Sequence, residues 1–316
     1  MPNNIALRAG FVEALDEVYA SESLTAVLDS NPAVAQQGAG VNEIRIPKIS
    51  MSGLGDYSRN SGYTKGDVNL TYETVQFNYD RGRKFEIDSM DNEESGNVAF
   101  GRLAAEFVRV HVAPEGDAFT LATLAGAEGV SMQEGTLESG TDVMAAITAG
   151  VKTMNDDRVP KRDRYLFITP ACKLEIDNLD TTKSREVLKG FAGVIEVPQD
   201  MMYTAIKLLD GETEGETEGG YEMAEGGAEI NFMIVHKPAV LKFNKQTASS
   251  IIVPDNNPDS DGYIQKYRKY GLVDVYENKV AGIYVHHKPA AVDEDDEGAG
   301  ESTGTGESTG TGEGTE

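Results

Sequence analysis

Apolar side chains at Leu7, Phe11, Leu15 and Val18 are spaced by four, four and three residues, which places them on one face of a helix over residues 5–19. Asn31-Pro32 is a turn signal that ends this arm, and a small-residue linker, AVAQQGAG, follows. From Asn42 the period changes to two. Ile44 and Ile46 share one side of NEIRIPKI, and VNLTYETVQF offers Val68, Leu70 and Tyr72 before the parity switches to Val75 and Phe77. That switch predicts a β-bulge. Between the two strands lie residues 50–67, SMSGLGDYSRNSGYTKGD, with four glycines and four serines, too long for an ordinary connection and so functional or mobile. Residues 42–88 therefore read as a long two-stranded arm with a flexible tip. An isolated hairpin is marginal in water, so the arm needs a surface to lie on, and none is evident elsewhere in the chain.

A second helical pattern follows DNEESG, with Phe100, Leu103, Ala104, Phe107, Val108 and His111 on one face and the same face resuming at Ala118, Phe119 and Ala122. It is the longest helix the pattern predicts. Pro114 predicts a kink, because proline lacks a backbone donor and clashes with the preceding turn. Beyond Gly126 helix and strand alternate: a helix from about Thr141 (Val143, Ile147, Val151, Met154), a strand RYLFIT, and Thr169-Pro170 as N-cap and first turn of a short helix. Strands continue at VIEV, YTAIKLL, INFMIVH and AVLKF. The tandem repeat GETEGETEGG at 211–220 has no apolar residue and reads as a solvated surface loop. LVDVY and AGIYVHH, separated by ENK, read as a closing hairpin. The tail from 291 to 316, rich in Asp, Glu, Gly and Thr, has nothing to offset its ordering entropy and reads as disordered.

Length and composition narrow the field. A chain of 316 residues accommodates one large domain or two ordinary ones, and 39% hydrophobic with 26% charged residues excludes wholesale disorder and a membrane-embedded chain. The net charge of −25 is concentrated: residues 293–316 hold nine acids and no base, and 211–229 hold seven acids and no base. Tight DNA binding draws on Lys and Arg neutralising phosphates, so sequence-specific DNA binding is disfavoured. Cys172 is the only cysteine, which rules out an intrachain disulfide and a cysteine zinc site. The first residues lack an apolar signal region and no run approaches the ~18 apolar residues of a spanning helix, so folding in a reducing cytoplasm is expected.

The chemistry that remains is sparse. Gly53-Leu54-Gly55 does not open a helix and fails as a phosphate loop. The four histidines, His111, His236, His286 and His287, cannot assemble a convergent ligand set from their spacing; His111 reads as a packing residue, and His286 and His287 point to opposite faces of a strand. No G-x-S-x-G is present, and 53 acids make carboxylate pairs uninformative. Cys172 beside Lys173 reads as a structural thiol. Asn257, Asp259, Asp261 and Gly262 match the front half of a calcium loop, but its twelfth place is Arg268 where a bidentate carboxylate is needed, so the segment reads as a turn. Catalytic, cofactor and metal sites are therefore expected to be absent. Basic residues cluster at Arg81, Arg83 and Lys84 and at Lys161, Arg162 and Arg164, either as a solvated rim or as contacts with an acidic neighbour.

Taken together, IPKISMSGLGDYSRNSGY (46–63), FNYDRGRKFEIDSMDNEESG (77–96), LAAEFVRVHVAPEGDAF (103–119) and GLVDVYENKVAGIYVH (271–286) resemble the major capsid proteins of tailed bacteriophages, with the Hong Kong 97-type fold. The resemblance covers about residues 5–288. It implies an α+β chain divided into an N-terminal arm (1–41), an extended hairpin loop (42–88), a peripheral domain with a spine helix (89–136) and an axial domain (137–255) that contains the acidic insert (211–229). C-terminal strands (256–290) would return to these domains, ahead of the tail (291–316). It further implies a non-enzymatic shell subunit forming hexamers and pentamers around double-stranded DNA in the virion, assembled in the host cytoplasm without a membrane. Its partners would be a separate scaffolding protein, a portal and a decoration protein where one exists. Some relatives crosslink lysine to asparagine; Lys48 and Lys65 lie in the loop region, but no acceptor can be chosen. The same fold class builds encapsulin compartments, which is the alternative reading.

Overall fold

The computed structural model describes residues 22–30, 36–37, 43–94, 98–179, 182–258 and 260–290. The amphipathic segment with Leu7, Phe11, Leu15 and Val18, most of the linker at 33–40, the Phe100 side chain, Asp259 and the acidic tail from 291 lie outside the described residues.

Strand β1 (Gln36–Gln37) pairs with the edge of β2 (Glu43–Met51), which runs antiparallel to β3 (Val68–Gln76). β4 (Tyr79–Asp88) leads into α1 (Ser89–Glu94) and α2 (Val98–Phe107), which a π-helical turn, Val108–Val112, joins to α3 (Ala113–Ala125). There follow β5 (Ser131–Glu134), α4 (Gly140–Asp156), β6 (Arg164–Ile168), α5 (Pro170–Asn178), α6 (Thr182–Leu188) and β7 (Gly193–Glu196). A small hairpin, β8 (Ile206–Leu208) and β9 (Tyr221–Met223), carries the acidic insert. β10 (Ile230–His236), β11 (Val240–Ile252), β12 (Gly262–Val275) and β13 (Ile283–His287) complete the chain. The architecture is α+β.

A mixed five-stranded sheet, in the order β5-β13-β10-β6-β7, forms the centre. β10 is buried at every position, as a strand covered on both faces must be. Phe232 and Ile234 face α4 and α5 through Val143, Ile147, Met154 and Ile176, whereas Met233 and Val235 meet Leu121 and Leu124 of α3. α4 starts where the pattern predicts, capped by Ser139, whose Oγ accepts from the Asp142 amide at 3.3 Å and donates to the Asp142 carboxylate at 2.7 Å. It approaches the sheet closely at Gly150, where a β-carbon would stand 2.7 Å from the Tyr284 ring. Thr169 occupies the predicted N-cap position of α5, but its hydroxyl donates to the Asn231 carbonyl and leaves the helix uncapped by a side chain.

The chain stays helical through Pro114. Because proline has no N–H, the turn before it widens: the Ala113 amide donates five residues back, to the Val108 carbonyl. The extra residue shifts the phase of the helix. Val108 and Val112 are buried while His111 faces outward, which corrects its reading as a packing histidine. A second correction concerns the C-terminus. β12 pairs with β11 and β4, and β13 pairs with β10 and β5, so the last two strands form no hairpin. The 3-10 segment Glu277–Gly282 carries the chain from one sheet to the other.

The segment before β1 is fastened to α3 by one carboxylate. Asp117, 1% exposed, accepts from the Ser23 hydroxyl (2.6 Å), the Leu24 and Thr25 amides (2.8 and 3.2 Å) and the Thr25 hydroxyl (2.5 Å). Lys242 Nζ donates to the Thr25 carbonyl and hydroxyl, each at 3.0 Å, and pairs with Asp29 at 2.9 Å. Leu28 then enters the central core, fully buried. Asp117→Ala strands four donors and should destabilise the protein by about 3 kcal/mol, since a buried donor left unsatisfied costs about 1–3 kcal/mol. Urea denaturation checks this: the midpoint should fall well below that of the parent, whereas an unchanged midpoint would contradict the anchoring role.

Candidate assembly surface

The β2–β3 ladder runs without a slip from Glu43↔Gln76 to Met51↔Val68, so the predicted bulge is absent. The parity switch has another cause. Near the root Ile44, Ile46 and Val75 point inward and are buried against Leu241, Phe243 and Leu272 of β11 and β12. The inner third of the arm therefore has a partner within the chain, contrary to the expectation from sequence. Further out the apolar side is the opposite face, where the register sets Pro47 against Tyr72, Ile49 against Leu70 and Met51 against Val68. Ile49, Met51, Val68, Leu70 and Tyr72 are 50–74% exposed. Side chains directly opposite on one face touch, so these residues form a continuous apolar stripe. Tyr79–Asp88 does not continue the arm, because β4 joins the sheet of β11 and β12.

The tip, although rich in glycine and serine, is folded. Ser58 and Gly62 exchange backbone hydrogen bonds of 3.1 and 2.8 Å, and the Ser58 hydroxyl accepts from the amides of Asn60 and Ser61. Gly62 takes φ +78°, a conformation that favours glycine. This turn sets Tyr57 against Tyr63 with ring centroids 4.9 Å apart and the planes tilted by 60°, both exposed, beside a wholly exposed Leu54. Gly53-Leu54-Gly55 thus belongs to a tip loop.

At the root, Lys48 of β2 pairs with Glu277 at 2.6 Å, so this lysine sits in a strand and is engaged. Burial raises the carboxyl pKa values of Glu73 and Asp274, with Glu277 adding to both.

Behind the root, β4 meets the long helix. Arg81 donates to Glu115 of α3 through Nε (2.7 Å) and Nη2 (3.2 Å), and Tyr79 donates to the same carboxylate at 3.1 Å. Arg81 also reaches the Leu209 and Gly220 carbonyls, and Arg83 reaches the Thr217 carbonyl at 2.8 Å. The acidic insert is therefore clamped to β4, an order its composition did not foretell. Gly211 (φ +77°) and Gly219 (φ +70°) flank Arg83, whose Nη1 would lie 2.6 and 3.2 Å from their β-carbons. Within the insert Asp210 accepts from the amides of Glu212 and Thr213 and from the Thr213 hydroxyl, which pulls its pKa down to about 2. Between β4, the long helix and this insert lies a cavity of about 330 Å³, with Phe85, Leu103, Phe107 and Tyr267 on its walls and Val110 and His111 at its edge.

The remaining sequence candidates are dispersed. Arg164 is buried and donates to the Val159 and Pro160 carbonyls and to Asn155, while Lys161 and Arg162 are exposed. Lys84 meets Glu86 at the surface. His286 stacks on Phe232 and lies 3.0 Å from the Asn231 amide; burial lowers its pKa, and that of His236. Cys172 is buried, which raises its thiol pKa, and Lys173 pairs with Asp177. Asn257 donates to Ser260 (2.8 Å) and to the Gly262 carbonyl (2.9 Å), and Arg268 pairs with Asp80. Among the described residues no three His, Cys, Asp or Glu side chains converge as a metal site, and no helix is long and apolar enough to cross a membrane.

No family model and no curated protein sequence matches the chain. Solved structures do. A structure from Gordonia phage Cozz superposes with a TM-score of 0.56 at 10% identity, covering 85% of this chain and 86% of its own. The capsid of Cyanophage P-SCSP1u gives 0.54 at 13% identity over 81% and 86%. A virus-like particle from Pyrococcus furiosus gives 0.54 at 12% identity over 87% and 96%. The fold is that of tailed-phage capsid proteins, as the resemblance in the sequence implied.

The raised carboxyl pKa values at the root define a pH test. A carboxyl whose folded pKa lies above its unfolded value near 4 carries a penalty at neutral pH that vanishes as the pH falls through the folded pKa. Asp274→Asn, which keeps the oxygen that accepts from the Val275 amide at 2.7 Å, should raise the thermal midpoint near pH 7 and have no effect near pH 3, below the unfolded pKa. A gain of the same size at both pH values would contradict the burial penalty.

Proposed function

We propose that this chain is the major capsid subunit of a tailed bacteriophage, a structural protein without catalytic activity that assembles into the hexamers and pentamers of an icosahedral shell around double-stranded DNA. The observation that carries this reading is the outward apolar stripe of the β2–β3 arm on a chain with a phage-capsid fold. Of the sixteen large hydrophobic residues exposed in the described residues, eight fall between Ile49 and Tyr72. Such a concentration marks a contact surface, since soluble monomers rarely expose large contiguous apolar patches. In this reading the outer part of the β2–β3 arm, from Pro47 to Tyr72, lies over a neighbouring copy, while its root and Tyr79–Asp88 stay in the body; the helix from Val98 to Ala125 is the spine of a peripheral domain within 89–136, and residues 137–255 gather at the capsomer centre. Residues 256–290 return to both domains, and 1–41 and 291–316 form the arm and tail. A separate scaffolding protein, a portal and a decoration protein are the expected partners. The acid surplus suits a wall that encloses DNA without gripping it.

The likeness to an archaeal virus-like particle favours one alternative, a nanocompartment shell that packages an enzyme. Negative-stain electron microscopy with light scattering, on the protein produced alone and with its neighbouring genes, tests both. Closed shells or capsomer rings are expected; their contents, DNA or an enzyme cargo, separate the two readings, and a strictly monomeric species in both preparations would refute them. Ile49→Ser with Leu70→Ser should leave the unfolding free energy of the monomer within about 0.5 kcal/mol of the parent, as exposed positions do, and abolish closed shells. Normal particles from this variant would remove the stripe from the assembly contact.

A further inference from the structure

The two ends of the central sheet carry opposite charge. At one end three connections are stitched together through the backbone: the Lys237 amide donates to the Asp163 carbonyl at 2.9 Å, and the Ala192 amide donates to the Arg164 carbonyl at 2.7 Å. The buried Arg164 side chain holds the first connection, 157–163, through the Val159 and Pro160 carbonyls, and Arg158 and Asp163 take left-handed φ values of 60° and 61°, uncommon outside glycine. Arg158, Lys161, Arg162, Lys189 and Lys237 thus come to the same end of the sheet, the first four exposed and Lys237 half-buried. None of the five is ion-paired with a described residue, whereas nine other described cations are. Lys279 lies alongside, bound to the Pro238 carbonyl, while Glu277 of the same segment is engaged by Lys48. Asp156, Asp157 and Asp163 stand among these cations and are outnumbered by them. Burial, and after it the Arg164 charge, lowers the His236 pKa here, with Asp163 opposing and Lys279 adding to the effect.

The chain leaves the sheet at the other end. There β13 finishes at His287 against Glu134 of β5, β7 finishes at Glu196, and Glu229 holds Lys288; Glu134 and Glu196 are exposed. The segment that follows, 293–316, has nine acids and no base, five of them consecutive from Asp293 to Glu297. It is repelled where it starts and attracted by the opposite end of the sheet.

We propose that residues 293–316 seat on the basic end of the sheet of the same chain, with carboxylates against Arg158, Lys161, Arg162, Lys189 and Lys237, and so keep other polyanions off that end. Charge, length and tethering carry this. The five residues of β13, at ~3.3 Å each, set the two ends about 16 Å apart. A glycine-rich chain as long as 291–316, 26 residues, spans about 28 Å r.m.s., enough to round the sheet without being stretched. A tether matched to its span holds its charges at an effective concentration of order millimolar, which a second copy in dilute solution does not reach. The acidic insert is the poorer occupant, because Arg81 and Arg83 fasten it to β4 and its Asp210 and Glu216 are engaged by Thr213 and Lys207.

The seat goes beyond the assembly reading and concerns a single chain. It also accounts for how free cations fit that reading: a wall that encloses DNA without gripping it keeps its exposed cations occupied from within, and DNA has to displace a tethered competitor to reach them.

Carbodiimide coupling of the full chain, which joins a carboxylate to a lysine amine only where the two touch, tests the seat. Dilute protein at low salt should yield peptides linking 293–316 to Lys161, Lys189 or Lys237, and their yield should fall at least about fivefold near 1 M sodium chloride, where the Debye length is about 3 Å. Links only to lysines elsewhere, such as Lys84, Lys207 or Lys266, or no links at all, would overturn it. So would links joining the two labels in a mixture of isotope-labelled and unlabelled chains, which would place the segment on a second copy. Competition is read with a short DNA duplex at low salt. The full chain carrying Asp293→Asn, Glu294→Gln, Asp295→Asn, Asp296→Asn and Glu297→Gln should bind the duplex at least about fivefold more tightly than the parent. Adding Arg158→Glu, Lys161→Glu and Arg162→Glu, all at exposed positions, should remove that gain. Equal affinity with and without the five carboxylates, or a gain that survives the charge reversal, would overturn the proposal. Neither readout needs shells to form, so failure of the assembly reading stays distinguishable from failure of the seat.

Discussion

A two-stranded ribbon has two faces and cannot shield either by itself, so its persistence depends on what lies against it. In this chain the β2–β3 ribbon divides the problem along its length. Ile44, Ile46 and Val75 near the root close onto Leu241, Phe243 and Leu272, and the Lys48–Glu277 pair fastens the edge. That support is only as firm as the β11-β12-β4 sheet beneath it, which the long helix holds through Glu115 bound to Arg81 of β4 and through Tyr267 packed on Val108 and Val112. The helix is tied in turn to the preceding chain by Asp117 and to the central sheet by Leu121 and Leu124. Each layer thus braces the next, from central sheet to helix to outer sheet to ribbon, and the outer half of the ribbon stands at the end of that series with its apolar face uncovered.

Buried and half-buried charges sit at the joints of this series. Arg81, Glu115, Asp117 and Lys242 each connect segments far apart in sequence, and each is engaged by several polar groups. A buried charge without partners is far more costly than an exposed one, so satisfaction by several donors or acceptors is what permits charges at these places. Their contribution is to geometry more than to net stability. An arginine shared between Glu115 and the Leu209 and Gly220 carbonyls fixes where the insert stands relative to the helix, which an apolar contact of equal area would leave less determined.

Local signals were legible wherever one face of one element decided the pattern. The buried positions Val143, Ile147 and Met154 of α4, the all-apolar β10 and the paired strands of the arm follow directly from periodicity. Readings failed where a long-range partner decided. The change of parity between Tyr72 and Val75 looked like a bulge because a single strand records only that its covered face changes, and the body covering the root is 166 to 228 residues away in sequence. Pairing the strands on paper about their shared loop would have set Ile49 against Leu70 and Met51 against Val68 and revealed the stripe. His111 was misplaced because a regular period was carried across a turn that Pro114 widens. The clamp on GETEGETEGG was invisible because it binds through backbone carbonyls, for which composition has no symbol.

The surplus of acid gives the proposed contact its physical character. Copies carrying a net charge of −25 repel one another at a distance, and that repulsion is screened beyond a Debye length of about 8 Å at physiological ionic strength. Association must then come from groups that act only on close approach. Apolar surface has that property, since its driving force scales with the area removed from water and vanishes once water separates the faces. The stripe and tip carry such surface on a ribbon that projects beyond the body, so the apolar face of one copy can reach a second while the bulk of the two charged bodies stays separated. A short apolar patch set on the body would have required the acidic surfaces to approach as closely as the patch itself. Projection along the outer half of the ribbon, about 15 Å at ~3.3 Å per residue, relaxes that requirement, which gives a physical reason for an acidic chain to place its exposed hydrophobic residues on an arm.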